Sequence, residues 1–116
     1  MPVSADYREF VLEQLGRVVP VTSRSMFGGV GIYSDGLFFA LLDDDTTYLK
    51  VDDSNRGDFE AAGMGPFNPF DDPKQVMQYY ELPADLLEDA DALRPWVFKA
   101  LDVARAARKK KTKKKQ

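Results

Sequence analysis

Residues 29–42 read GVGIYSDGLFFALL. Two β-prone apolar runs here flank the dipeptide Asp35-Gly36, whose residues readily adopt the positive φ angles of a two-residue type I′ turn. The stretch therefore predicts a β-hairpin with strands over residues 29–34 and 37–42. The second run is apolar without alternation, which favours a central strand that is covered on both faces or that lies at an interface.

The segments around the hairpin extend it into an α+β domain. Upstream, Ser4 as N-cap and apolar residues at helical spacing predict a helix over residues 5–15, and a strand follows from Ser23. Downstream, the patterns predict a strand at 48–51, a helix from about Asp53 to Ala62, a loop at 63–73, a strand at 75–82 and a short helical turn at Leu86 and Leu87.

The last predicted helix has the most regular apolar stripe, with Pro95 expected in its first turn. The stripe, in which Trp96 is expected to lie in the core, consists of Leu93, Trp96, Val97, Ala100, Leu101 and Ala104. The element order is α-β(3-4)-α-β-α, and hairpin connections make the sheet mainly antiparallel. We therefore predict a two-layer α+β fold with the helices on one face of the sheet.

The composition excludes most catalytic chemistry. The 116-residue chain has no cysteine and no histidine, so it lacks thiolate nucleophiles, disulfides, cysteine zinc sites and the commonest general base. No Gly-x-Ser-x-Gly motif is present. Acid–base catalysis by carboxylates stays open as an alternative, but we expect no enzymatic activity, no cofactor and no metal.

Two polar motifs each allow two interpretations. Gly28-Gly29-Val30-Gly31 could cradle a phosphate, but a strand rather than a helix follows it, so we favour a bulge or a close backbone approach, such as a helix crossing the sheet. Asp43-Asp44-Asp45 could gather a hard cation, but three consecutive side chains in a tight turn diverge, so we favour a solvated turn.

Charge is distributed unevenly along the chain. Residues 1–104 carry all 19 acidic residues and 8 of the 16 basic ones, a formal charge of −11, and we predict them to form the domain. Residues 105–116 carry the other 8 basic residues and are predicted to be a disordered tail. The tail is a candidate for weak, non-specific nucleic-acid binding, but it could equally favour a helix dipole or rest against the acidic body. The candidate contacts are Arg105, Arg108, Lys109, Lys110, Lys111, Lys113, Lys114 and Lys115.

The loop at 63–73 is the candidate partner surface, because Phe67 and Phe70 stand among its prolines. These rings either fold down onto the domain or serve as exposed anchors for another protein. The chain begins without the pattern of a secretory signal and has no run of eighteen apolar residues, so we expect a cytoplasmic protein with no membrane contact.

The string Arg24-Ser25-Met26-Phe27-Gly28-Gly29-Val30-Gly31-Ile32-Tyr33, with Tyr48-Leu49-Lys50-Val51, the Leu82-Pro83 pair and Trp96 downstream, resembles the N-terminal domain of the TfoX/Sxy competence regulators. The resemblance implies a fold similar to the secretion-chaperone-like class and no enzyme. It also implies a link to transcription of DNA-uptake genes together with the cyclic-AMP receptor protein. The motif residues that we expect to be structural are Arg24, Met26, Phe27, Gly28, Gly29, Gly31 and Tyr33.

Two hypotheses follow for function. The first is a regulatory interaction domain of this family type, which binds a protein partner such as a transcription factor through a sheet edge or the 63–73 loop, with a homodimer as a further option. The alternative is a non-specific nucleic-acid-associated protein that acts through its lysine-rich tail.

Overall fold

The computed structural model describes residues 3–26, 28–67 and 78–114, with the backbone alone from Lys110 onward. Its elements are α1 (Ala5–Gly16), β1 (Thr22–Met26), β2 (Gly29–Ser34), β3 (Leu37–Asp43), β4 (Thr46–Lys50), α2 (Arg56–Ala61), β5 (Tyr79–Glu81), a 3₁₀ turn (Ala84–Glu88) and α3 (Ala90–Lys114). The strands form one antiparallel sheet in the order β1-β2-β3-β4-β5. The predicted α+β class and element order are confirmed.

Tight turns connect the central strands. Asp35 and Gly36 have φ angles of 51° and 77°, as the predicted type I′ turn between β2 and β3 requires. Asp44 and Asp45 also have positive φ angles, in the turn between β3 and β4. The Asp45 carboxylate accepts a hydrogen bond from the Ser4 amide at 2.7 Å, so this acidic turn also ties the start of α1 to the sheet.

The core lies between one face of the sheet and the helices. α3 packs along β3 and β4, α1 packs against α3 and the 3₁₀ turn, and α2 lies against β5. Each fully buried leucine or phenylalanine contributes about 1.5–3 kcal/mol relative to exposure. The fully buried apolar residues of the core include Val11, Leu15, Ile32, Phe39, Leu42, Leu49, Phe59, Leu93, Val97 and Ala100.

A β-bulge reshapes the central strand. In the pairing of β2 with β3, Ile32 lies opposite Ala40 and Tyr33 lies opposite Phe38, so Phe39 is an extra residue without a partner. Phe39 and Ala40 are both fully buried on the helix side. Beyond the bulge the alternation of β3 is reversed, which places Leu41 on the opposite face together with Phe38.

Buried polar groups in the core are paired. Asn55 donates a side-chain hydrogen bond to the Lys50 carbonyl oxygen at 3.1 Å and accepts one from the Asp52 amide at 2.9 Å, which holds the entry to α2. The Thr47 hydroxyl lies 2.7 Å from the Tyr7 hydroxyl of α1. These contacts fix α1 and α2 against β4 without leaving a costly unsatisfied group.

α3 differs from the prediction at both ends. It begins at Ala90, where the Asp89 carboxylate accepts from the Ala92 amide at 3.2 Å, so Pro95 lies inside the helix rather than in its first turn. At the other end the helix continues to Lys114, whereas we predicted a disordered tail from residue 105. The reason is local: residues 105–111 are strong helix formers without a stop signal, and cations favour a helix C-terminus.

Two further predictions need adjustment. Trp96 lies at the margin of the core rather than within it, half-buried, with its ring edge against Phe59 at a centroid distance of 4.8 Å. Of the strand predicted at 75–82, the described part is β5, and residues 75–77 lie outside the described residues.

Gly29 and Gly31 of β2 face away from the helices and leave no room for a side chain. A Cβ atom at Gly29 would overlap the carbonyl oxygen of Leu42, and one at Gly31 would lie 2.6 Å from the Cε of Met26 and 3.2 Å from the ring of Phe38. The close approach expected of these glycines is thus made by β3 and by side chains, not by a crossing helix.

We expect Gly29→Ala to destabilise the fold by roughly 1–3 kcal/mol, the usual cost of overpacking, because backbone must shift to admit the methyl group. Gly31→Ala should cost less, because the flexible end of Met26 can move. Gly57→Ala is the matched control: Gly57 lies in α2 with open space around it, so alanine should stabilise by up to about 1 kcal/mol. Urea unfolding checks all three, and wild-type stability of Gly29→Ala would contradict the packing argument.

Candidate functional site

The face of the sheet opposite the helices is the candidate site, and we call it the open face. No helix among the described residues lies over it. Strand alternation and pairing place on this face Arg24, Met26, Gly29, Gly31, Tyr33, Phe38, Leu41, Asp43, Tyr48, Lys50, Tyr79 and Glu81. Its large apolar residues are half-buried for the most part, since they cover one another instead of being covered by a second layer.

A ladder of rings and cations crosses the open face, and we call it the ring ladder. Tyr33 stacks on Phe38 at a centroid distance of 5.1 Å, and Phe38 lies 5.6 Å from Tyr79. The Arg24 guanidinium lies 5.9 Å from the Tyr33 ring, and the Lys50 ammonium lies 5.1 Å from the Tyr79 ring. Aromatic pairs contribute about 0.5–1.5 kcal/mol and exposed cation–π contacts about 0.5–1 kcal/mol.

An apolar cavity of about 180 Å³ opens beside the ring ladder. Its side chains come chiefly from Met26, Phe38, Leu41, Phe67 and Tyr79. The cavity is smaller than the 300–1,000 Å³, in round figures, that is usual for small-molecule sites. Its size and lining suit one aliphatic or aromatic side chain of a partner.

Phe67 is part of this surface. Its ring packs against Tyr48 at a centroid distance of 4.6 Å, so it folds down onto the open face instead of projecting as a free anchor. The backbone from Gly65 to Phe67 pairs with β5: the Phe67 amide donates to the Tyr79 carbonyl at 2.7 Å, and the Glu81 amide donates to the Gly65 carbonyl at 3.0 Å. Phe70, the other predicted partner residue, lies outside the described residues.

The basic end of α3 lies at the end of the sheet that carries the β2–β3 turn. The Arg108 guanidinium lies beside Gly36 of that turn. Arg105 pairs with Asp102 at 2.8 Å, and Lys109 is exposed. The side chains of Lys110, Lys111, Lys113 and Lys114, and all of Lys115, lie outside the described part of the chain. The structure therefore brings only the first predicted tail contacts near the domain.

Comparison with known families adds a finding that geometry alone does not supply. The family model of the TfoX N-terminal domain matches residues 13–104. The chain belongs to the TfoX N-terminal domain family. The matched range includes β1 to β5 and α3 as far as Ala104, and this family is not a known enzyme family. A search of the curated proteins finds no match.

The family motif contributes much of the open face in this TfoX N-terminal domain. Met26 lines the cavity, Gly31 makes room for it, and Arg24 and Tyr33 form one end of the ring ladder. Gly28 lies in the β1–β2 turn with a φ angle of 80°, and Phe27 lies outside the described residues. The sequence analysis did not identify Phe38, Leu41 and Tyr79 as site residues. The absence of alternation in residues 37–42 was the available signal for the first two.

Catalytic or metal chemistry finds no support in the site. Within residues 3–26, 28–67 and 78–114, no three acidic residues come close enough together to hold a metal ion. Over the same ranges, none of the helices has the length and hydrophobicity needed to cross a bilayer.

Burial perturbs the tyrosines near the sheet. Burial raises the pKa of Tyr79 to about 12, and the neighbouring Tyr33 adds to the rise. Burial also raises the pKa of Tyr48, and the nearby Glu81 carboxylate adds to it. The neutral phenol of Tyr79 is thus the form that the ring ladder holds.

Tyr79 should make stability fall in alkaline solution. An unfolded tyrosine loses its proton near pH 10, whereas folded Tyr79 keeps it until about pH 12. Its contribution is therefore fully present below pH 10 and is lost as the pH rises to 12. We expect Tyr79→Phe to show a shallower decline of the urea midpoint across this range than the wild type. Identical slopes in the two proteins would contradict the assignment.

Proposed function

We propose that this chain is a non-enzymatic regulatory interaction domain that binds a protein partner through the open face. The observation that carries the proposal is a half-buried aromatic and apolar surface, with a cavity for a single side chain, on the face that no described helix covers. Rigid aromatic residues around an apolar pocket are typical of binding hot spots. Because the rings are already held by one another, little side-chain entropy is lost on binding.

The ring geometry favours a protein over a nucleic acid on this face. Single-stranded nucleic acids bind by stacking bases on the free faces of aromatic rings. In the ring ladder the faces of Tyr33, Phe38 and Tyr79 are turned toward one another or toward a cation. The formal charge of −11 over residues 1–104 also opposes a phosphate backbone.

Family membership supports a regulatory role of the TfoX/Sxy type. The resemblance links such regulators to the transcription of DNA-uptake genes together with the cyclic-AMP receptor protein. A transcription factor is therefore the first partner to test, and we propose that the complex forms in the cytoplasm.

Cross-linking should locate the partner on the open face. A photoreactive phenylalanine analogue at position 41, inside the cavity lining, should cross-link one protein in cells of the source organism, with the cyclic-AMP receptor protein as the first candidate. The same analogue at Glu60, an exposed position on α2, should give no such product. Excess unlabelled domain should compete the product away.

Affinity of the purified pair then tests the surface itself. We expect Leu41→Asp to weaken binding at least about thirtyfold, since a hot spot contributes 2 kcal/mol or more. Phe98→Asp introduces the same charge at an apolar residue of α3 that is 43% exposed, and should leave binding unchanged. Urea unfolding must show that both variants are folded. Equal affinity of Leu41→Asp and wild type would contradict the assignment of the open face.

A second candidate function rests on the basic end of α3. The helix carries Arg105, Arg108 and Lys109 on exposed positions and continues through a lysine-rich stretch. Such a surface attracts phosphates without reading bases, because no aromatic residue accompanies it. Weak, non-specific association with nucleic acid could therefore accompany partner binding.

Truncation after Ala104 separates the two functions. If four to six cations neutralise phosphates, the logarithm of duplex affinity of the intact chain should fall with the logarithm of salt with a slope of about −3.6 to −5.4. The truncated chain should lose this binding while it retains the cross-link at position 41. Absence of DNA retardation by the intact chain at low salt would remove the second function.

A further inference from the structure

The two edges of the sheet differ. The outer edge of β5 is covered, because Gly65 and Phe67 pair with it and Pro66 bridges to Tyr80. β1 is the strand at the other edge, and no described segment pairs with its outer side. Four of its neighbours in space are polar or open, and three of its five residues are exposed. An edge strand of this kind presents unpaired backbone groups that can accept a further strand.

Both faces of this edge carry a guanidinium. Arg8 of α1 donates to the Ser23 hydroxyl at 2.9 Å and to the Ser25 hydroxyl at 3.2 Å, which places its charge over the helix side of β1. Arg24 is exposed on the open face, beside the Tyr33 ring. β1 itself, Thr22–Met26, contains no acidic residue. An added strand would thus meet a positive charge on each of its faces.

We propose that β1 accepts an extended acidic segment of another protein as a sixth strand of the sheet. This inference rests on the proposed interaction function but assigns a different surface. Backbone hydrogen bonds along β1 provide affinity, and carboxylates at successive positions, which point to opposite faces, meet Arg24 and Arg8. The charge over residues 1–104 is negative, so this attraction is local and acts within a Debye length of about 8 Å at physiological salt.

A second copy of the chain fits this edge poorly. In a symmetric antiparallel pairing, the register that aligns all five residues of β1 sets Arg24 directly opposite its own copy. Like charges directly opposite each other destabilise a strand pair. Shifting the register to avoid this contact leaves fewer paired residues. The edge is therefore suited to a partner whose charge is opposite to its own.

Two short fluorescein-labelled peptides test the proposal with the full-length chain. One alternates valine with glutamate and the other alternates valine with lysine. We expect the glutamate peptide to bind about tenfold more tightly, since each opposite-charge cross-strand pair adds a few-fold in affinity and each like-charge pair subtracts it. Bound peptide should also slow hydrogen exchange of the β1 backbone amides.

Charge variants provide the specificity control. Arg24→Glu should abolish or reverse the preference for the glutamate peptide. Arg94→Glu, the same charge change at an exposed residue of α3, should leave it intact, and urea unfolding should show that both variants are folded. Equal affinity for the two peptides, no binding of either, protection away from β1, or concentration-dependent self-association of the wild type through β1 would each overturn the inference. If β1 fails while the position-41 cross-link persists, the proposed function stands without this edge.

Discussion

Strand β3 carries large apolar side chains on both of its faces, whereas the helices cover only one. Phe39 and Leu42 meet the helices and are fully buried. Phe38 and Leu41 face the other way, where neighbouring strands supply the cover: Tyr33 from one side, Tyr79 from the other, and Phe67 beside the cavity. The second face is thus closed by side chains instead of a second layer, which leaves it ordered and yet accessible.

This arrangement explains the glycines of β2. Glycine in a strand costs roughly 0.5–1 kcal/mol in conformational entropy, so its presence needs a compensating contact. At Gly31 the compensation is the space taken by Met26 and Phe38, and at Gly29 it is the close carbonyl oxygen of Leu42. The glycine-rich motif is a packing device for the open face, and a phosphate-binding role has no helix N-terminus to support it.

The parts of the fold that depend on local chemistry could be predicted from sequence, and those that depend on register could not. The Asp35-Gly36 turn and the apolar stripe of α3 follow from φ preferences and from helical spacing. The open face depends on the bulge at Phe39, which reverses the alternation of β3 and moves Leu41 to the side of Phe38. It also depends on contact between Phe38 and Tyr79, 41 residues apart in sequence. The extent of α3 was missed because charge density was taken as disorder, although the residues themselves favour helix.

Electrostatics keeps the two kinds of recognition apart. The body has a formal charge of −11, so a nucleic acid is repelled from the sheet and attracted only to the basic end of α3. From Arg108, which touches the β2–β3 turn, the helix runs six further residues to Lys114, about 9 Å along its axis at 1.5 Å per residue. That length is comparable with a Debye length of about 8 Å, so the acidic body only partly cancels the field of the last lysines. Because the cations are carried on a helix that extends past the sheet, contact with nucleic acid at that end leaves the open face and the β1 edge available to protein.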